Sequence, residues 1–357
     1  MSTEAETSEP QQMLGQCKLI AHISVEENGA YKANDETAIP IFSTSLRDSC
    51  LDLGPRVRQI EKQRPFRYFK HPKHLDSIIW GCIAAGKCDF FKSSNTIVTW
   101  RGILTKIFLG EAVTLHVSYI DGTLFMEEED PKPQWRARHY AESDAVGKAF
   151  EDLYTKPHAN SSRSPNNGDK HSSKQWGNVV SRSLGDLSLV FCGEVDAVKD
   201  QFEKGADGGE WFSRRVELKC KLTETRIPNQ RWHMQSYLLG VPEIFIGYRS
   251  KNLRIVRTQM IQVSDIQTPD IEAKISRGHS VLSALRAELK KEKDEGSIRD
   301  DTIWKIAIRN GSWKQLQRLG DVDAQKVKKR RDDPSKPIQR IGIVPEVMLQ
   351  HIREDLP

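Results

Sequence analysis

Leu189-Val190-Phe191-Cys192-Gly193-Glu194-Val195-Asp196-Ala197-Val198 and, about twenty residues on, Arg215-Val216-Glu217-Leu218-Lys219-Cys220-Lys221 decide how this chain is read. Both segments have the composition of strands. A strand turns successive side chains to opposite faces. Glu194 and Asp196 therefore share one face, with Val195 opposed. Glu217 and Lys219 share a face, with Leu218 opposed. Between the segments, Lys199 to Gly209 is rich in Gly, Asp and Lys and reads as a connecting turn region. If the two strands pair, three carboxylates and one ammonium meet on one patch.

Such a patch needs a counter-charge, because like charges at one site cannot all stay ionised alone. Mg²⁺ or Mn²⁺, one ion or two, supplies it, since hard cations take oxygen ligands. Lys219 is then a second cation, available to a phosphate oxygen. A metal beside a lysine is suited to phosphodiester or pyrophosphate hydrolysis. Glu194, Asp196, Glu217 and Lys219 are the catalytic candidates. An acidic residue followed about twenty residues later by Glu-x-Lys resembles the PD-(D/E)xK nuclease core. The competing reading is a pair of amphipathic strands with a wet polar face, although Asp and Glu are depleted in ordinary sheets.

The 357 residues allow one large domain or two smaller ones, and the chain is long enough to bury a core. A net charge of +5 permits an anionic partner without demanding one. The six cysteines form no Cys-x-x-Cys pair, which argues against a structural zinc site and for a reducing compartment. Met1 to Gln12 is polar and carries no apolar signal core, and no apolar run is long enough to span a membrane. The expectation is a protein that is not secreted, resident in the nucleus and/or the cytoplasm, with a disordered tail over 1–13.

Taken in order, Leu14 to Ile23 starts the fold. Arg47, Arg56, Arg58, Arg64 and Arg67 are candidates for phosphate contact or ordinary surface arginines. His71 and His74 flank Pro72 as loop residues. Leu75 to Ala85 reads as a helix and Asn95 to Trp100 as a strand. Ile103 to Phe108 reads as a second extended run, after Arg101-Gly102. Val113–Tyr119 and Gly122–Met126 form a hairpin around Asp121-Gly122. Glu127 to Asp130 reads as an acidic loop. Ala141 to Thr155 is a helix on which Glu151 stands at the edge of the apolar stripe, a candidate fourth carboxylate or a surface glutamate. Residues 156–174 read as a flexible loop. Pro228 to Leu239 is a helix ended by Gly240-Val241-Pro242. Glu243–Arg249 and Leu253–Ile261 are strands, Pro269–Glu295 is mostly helical, and two last strands flank Asn310-Gly311. Lys326 to Arg331 is a basic cluster, read as an import signal, a phosphate-facing patch or a solvated segment.

In that order the residues resemble the DXO, or Rai-type, decapping nucleases. The matches are Thr99-Trp100-Arg101-Gly102 with Leu104-Thr105-Lys106, Ser183-Leu184-Gly185, Gly193-Glu194-Val195-Asp196, Val216-Glu217-Leu218-Lys219, and Gln235-Ser236-Tyr237 with Gly240-Val241-Pro242. They run from about Phe42 onward. The resemblance implies that Glu151, Glu194, Asp196, Glu217 and the Leu218 carbonyl hold metal. It implies that Lys219 and Gln235 contact the scissile phosphate, and that Trp100, Arg101, Gly102 and Glu194 line the substrate site. The family's helical motif is Gly, apolar, any, apolar, Glu. Gly147-Lys148-Ala149-Phe150-Glu151 keeps it except at Lys148.

The expected architecture is α/β (α+β): a mixed sheet plus a second, antiparallel sheet, flanked by helices in one catalytic domain over 14–357. By the resemblance, the expected activity is removal of aberrant, incomplete or NAD caps, or of pyrophosphate from 5′-triphosphate RNA. By the same resemblance, many members also degrade the monophosphate product 5′ to 3′, and some act beside a partner exoribonuclease. Two other readings use the same residues. One is a catalytically weak RNA-binding protein that stabilises such a partner. The other is a PD-(D/E)xK DNA nuclease.

Overall fold

The structure is a computed structural model, and it describes residues 13–25, 30–43, 51–63, 74–129, 137–157, 175–199, 212–227, 229–296, 299–330 and 337–354. Residues 1–12 of the expected tail, the loop residues 158–174, the connection 200–211, and Cys50, Arg47, Arg64, Arg67 and His71 lie outside the described residues, whereas Met13, at the end of that tail, accepts the Gly185 N–H. The first strands are β1 (Lys18–Val25), β2 (Tyr31–Ala33), β3 (Ile41–Phe42), β4 (Thr96–Trp100), β5 (Val113–Ile120), β6 (Thr123–Glu128), β7 (Thr155–Lys156), β8 (Gln175–Leu184) and β9 (Leu187–Glu194). They are followed by β10 (Ala197–Lys199), β11 (Arg215–Leu222), β12 (Glu243–Arg249), β13 (Ile255–Gln262), β14 (Trp304–Arg309), β15 (Ser312–Arg318), β16 (Arg340–Ile341) and β17 (Val344–Pro345). The helices are α1 (Gly54–Gln63), α2 (Asp76–Ala84), α3 (Arg101–Leu109), α4 (Ala137–Tyr154), α5 (Asn229–Leu239), α6 (Ile271–Asp294), α7 (Asp321–Lys328) and α8 (Glu346–Glu354).

Nine strands form the larger sheet in the order β15-β14-β5-β6-β4-β9-β8-β1-β2. Its centre is buried on both faces. Leu189 and Phe191 of β9 pack with Ile103, Ile107 and Phe108 of α3 and Leu282 and Leu285 of α6. Val190 and Cys192, pointing the other way, pack with Ile78, Ile79 and Cys82 of α2 and with Met348 and Ile352 of α8. This explains why β9 reads as an unbroken apolar run rather than an alternating one.

Six strands form the smaller sheet, β13-β12-β11-β10-β3-β7. One face carries α1 and α4 through Val57, Ile60, Val146, Ala149 and Phe150. On the other face, Trp232 of α5 packs with Ile244, Ile246 and Tyr248. The next turns of α5 place Met234, Leu238 and Leu239 in the core of the larger sheet. Helix α5 is thus a wedge shared by both sheets.

The chain steps from one sheet to the other at Val195-Asp196. β9 belongs to the larger sheet and β10 to the smaller. β10 then pairs antiparallel with β11, Ala197 opposite Val216. Two buried arginines fasten this seam. Arg215, 0% exposed, donates to the carbonyls of Phe212 (2.8 Å) and Gly240 (2.8 Å) and to Asn178 Oδ1 on β8 (3.1 Å). Arg182 on β8 donates to the carbonyls of Gly15, Tyr237 and Leu238. Between them they satisfy carbonyls at the C-terminal end of α5, where helical acceptors have no helical partner and positive charge is favoured.

The α+β class with two sheets and flanking helices holds. Four local readings change. The second sheet is mixed rather than purely antiparallel, because β11 and β12 are parallel and joined by the crossover helix α5. Ile103 to Phe108 is helix, not strand. Its residues 103, 104, 107 and 108 bury one helical face, and Gly110 at φ 71° caps it in the left-handed region. Glu127 is not in a loop but in β6, buried, bound by His74 Nδ1 (2.6 Å) and Arg330 Nη2 (2.8 Å). The basic cluster is partly spent inside the fold, with Lys328 on Asp301 and Arg330 on Glu127, while Lys326 pairs with Asp323 on the surface.

Replacing Arg215 with alanine removes three hydrogen bonds at the seam. We expect a loss of about 3 kcal/mol or more. It is read as a lower urea midpoint at unchanged denaturant slope.

Candidate active site

The seam gathers the carboxylates. Glu194 ends β9, and Asp196 occupies the step into β10. Glu217 faces that step from β11, one residue along from the Ala197–Val216 pair. Asp196 Oδ2 accepts the Leu218 backbone N–H at 2.7 Å, which locks the step to β11. Lys219 Nζ reaches Glu217 Oε1 at 2.5 Å and Asp196 Oδ2 at 3.8 Å. The alternation read from sequence thus brings Asp196, Glu217 and Lys219 together.

Glu151 arrives from α4. The helix is fixed on the smaller sheet by Phe150, which lies across Gly247 of β12. A Cβ at Gly247 would come 2.2 Å from the Phe150 ring, so only glycine allows this approach. Ring contacts with Phe245 and Tyr154 complete the packing. The next residue, Glu151, then faces the seam, and Lys148 lies one turn before it. Lys148 Nζ bonds Glu151 Oε2 (2.6 Å) and Glu194 Oε1 (3.1 Å).

Arg101 opens α3 from the end of β4. Its side chain runs over Gly193, where an added Cβ would lie 3.0 Å from Arg101 Cδ and Nε. Arg101 Nη1 stands 3.5 Å from Glu217 Oε2. Trp100, beside it, lines a shallow apolar cleft with Trp176, Ile23, Val25 and Cys192, and Glu194 stands at its edge. Gln235 is half-buried on α5, the helix that packs against α3.

Charge is distributed unevenly. Burial, reinforced by Glu217, pushes the Asp196 carboxyl well above its ordinary range. Burial acts the same way on Glu217, but Lys219 and Arg101 outweigh it and hold that carboxyl below its usual value. Burial raises Glu151, with Lys148 opposing. Burial works against the charge of Lys148, yet Glu151, Glu194 and Asp196 overcome it and hold the ammonium well above the usual lysine range.

A hard divalent ion fits this donor set. Glu217 Oε2 is buried and, apart from the 3.5 Å ion pair with Arg101, meets no hydrogen-bond donor among the described residues, so it keeps a lone pair beside other oxygen donors. The side chains are nevertheless drawn up around ammonium groups. Among the described residues, no three His, Cys, Asp or Glu side chains already close on one metal-sized point.

The family model described as RAI1-like PD-(D/E)XK nuclease matches residues 15–332. The fold is therefore that of a PD-(D/E)XK nuclease. The chain belongs to the RAI1-like family of these enzymes. A decapping nuclease RAI1 of Yarrowia lipolytica is 29% identical over 262 residues, covering 67% of this chain and 73% of the relative. The Cryptococcus neoformans relative of the same name is 26% identical, covering 70% and 76%. In structure, Candida albicans Rai1 in complex with pU5 and Mn²⁺ superposes with a TM-score of 0.71 at 18% identity, covering 96% of this chain and 95% of that one. Scheffersomyces stipitis Rai1 in complex with (3′-NADP)⁺ and calcium ion gives 0.68 at 17% identity, covering both chains fully (100% and 100%).

Sequence reasoning had not placed Lys148 among the carboxylates, nor Arg101 on Glu217. The first was discoverable, because residues three apart share a helix face. The second depends on α3 being a helix.

Asp196→Asn keeps an oxygen for the Leu218 N–H and removes the charge. A folded-state carboxyl raised above its unfolded value takes up protons on folding, so that contribution falls as pH rises through the window between the two values. In EDTA-treated protein, we expect Asp196→Asn to unfold a few degrees above the wild type at neutral pH. The gain should disappear as pH is lowered to the ordinary carboxylate range, a dependence that thermal melts over a pH series would measure.

Proposed function

We propose that the chain is a metal-dependent hydrolase of RNA 5′ ends. In this reading it removes incomplete or otherwise aberrant caps, NAD caps, or the pyrophosphate of 5′-triphosphate RNA, and degrades the monophosphate product 5′ to 3′. The observation that carries the reading is Lys219, whose ammonium stands between Asp196 at the step into β10 and Glu217 on β11, while Arg101 faces the other oxygen of Glu217. Two positive side chains next to buried carboxylates suit a reaction in which negative charge builds on a phosphoryl group.

Glu151, Glu194, Asp196, Glu217 and the Leu218 carbonyl would hold one or two Mg²⁺ or Mn²⁺ ions. Bound there, an ion supplies polarisation of a phosphoryl oxygen and a more acidic water. Lys219 and Gln235 orient the scissile phosphate. Arg101 sits at the start of α3, whose first-turn N–H groups have no helical acceptor and favour an anion. A Cβ at Gly102 would meet nothing within 4 Å, so the backbone there is open to close approach. Trp100, half-buried at the cleft, offers aromatic surface to an unstacked base, the usual mode for single-stranded RNA. The family of the chain supports this reading, as do its relatives named decapping nucleases and the Rai1 structures carrying pU5, Mn²⁺ or calcium ion. An exoribonuclease partner and residence in the nucleus or cytoplasm belong to the same reading and rest on the family resemblance.

The test uses RNAs of one sequence with 5′-monophosphate, triphosphate, unmethylated-cap or NAD ends, each with Mn²⁺, Mg²⁺ or EDTA. We expect turnover with metal and none with EDTA. A variant carrying Asp196→Ala and Glu217→Ala should lose activity by about 10²-fold or more. RNA binding without turnover on every end would overturn the enzyme reading. Equal cleavage of single-stranded DNA would replace RNA as the substrate.

A further inference from the structure

Lys148 stands where the family resemblance calls for an apolar residue, and the fold does not let it escape the site. Val146, Ala149 and Phe150 are buried against the smaller sheet, and Phe150 is seated on Gly247. Helix α4 therefore cannot roll to carry Lys148 elsewhere. Lys148 and Glu151 share a helix face, and the ammonium spans Glu151 on its own helix and Glu194 on β9. Only 19% of the Lys148 side chain is exposed. The cluster is thus divided into two ion-paired halves. Asp196 and Glu217 are served by Lys219 and Arg101. Glu151 and Glu194 are served by Lys148.

We propose that Lys148 is a tethered cation that competes with the divalent ion for Glu151 and Glu194, so that metal affinity at this site is set by a residue of the chain itself. The proposal rests on the metal-dependent reading above. An ion entering the cluster must take two carboxylate oxygens from an ammonium that is already bonded to both. It must then share the site with a like charge on a stem too short to leave the neighbourhood. The four-carbon stem does allow the ammonium to swing aside while the helix stays in place. The result is an enzyme that fills its site only at higher divalent concentrations than one with an apolar residue at this position. Lys148 is a positioning residue here, since it acts on the ion through the two glutamates.

The test is Mn²⁺ binding to the full chain without RNA, by calorimetry and by the resonance signal of unbound Mn²⁺. Wild type is compared with Lys148→Met, Lys148→Gln, Lys148→Arg and the Asp196→Ala, Glu217→Ala pair. The methionine and glutamine variants retain much of the lysine stem, so neither leaves a large cavity, and circular dichroism checks each fold. We expect both to bind Mn²⁺ more tightly by on the order of 10- to 100-fold, the range in which groups contacting metal ligands act. Lys148→Arg should stay near wild type. Equal or weaker binding by both neutral variants overturns the role of Lys148 alone. No Mn²⁺ binding by wild type and both neutral variants overturns the metal-dependent reading as well, which keeps the two failures distinct.

Discussion

Carboxylates crowded into a buried site repel one another and lose hydration together, so positive charge has to be brought to them. Much of the local architecture answers that requirement. Four carboxylates come from α4, β9, the step before β10, and β11. Three cations come from α3, α4 and β11 to meet them. The balance is uneven by design of the backbone. Glu217, with a cation on each side, is held ionised, whereas Asp196 is buried beside it and pushed toward its neutral form.

The seam between the sheets makes this crowding possible. A single sheet would set side chains of one face in a row, but a strand that leaves one sheet and enters another brings its carboxylates against elements from both. Asp196 sits at that crossing, tied to β11 through the Leu218 N–H. Arg215 and Arg182 close the seam behind it by binding the end of α5, and α5 buries residues in the cores of both sheets. Gly193 and Gly247 supply the clearance, one for the Arg101 side chain and the other for the Phe150 ring.

Much of the site was legible in the sequence because it lies on short strands, where a period of two dictates which residues share a face. Asp196, Glu217 and Lys219 could be grouped that way, and the turn dipeptides Asp121-Gly122 and Asn310-Gly311 marked hairpins that the structure contains. Ile103 to Phe108 was misread because a short apolar run fits a buried strand or one side of a helix, and only Gly110 beyond it distinguishes the two. Glu127, and the burial of Arg330 from the basic cluster, escaped the sequence for a different reason. Their burial depends on each other, across about two hundred residues of chain, and no local pattern announces such a pairing. The crossing at Val195-Asp196 was invisible too, since a strand that changes sheets keeps its alternation.

That crossing also bears on when the molecule becomes dangerous to other RNA. The carboxylate cluster is divided between two sheets and a helix, so no fragment of the fold contains it. During synthesis, Glu151, Glu194 and Asp196 are added before Glu217 and Lys219, and the wedge helix that joins the sheets follows later still. A nascent or partly unfolded chain therefore carries an incomplete cluster. On the proposed reading, hydrolytic capacity and full assembly arrive together, which confines the activity to molecules that have passed their own folding test.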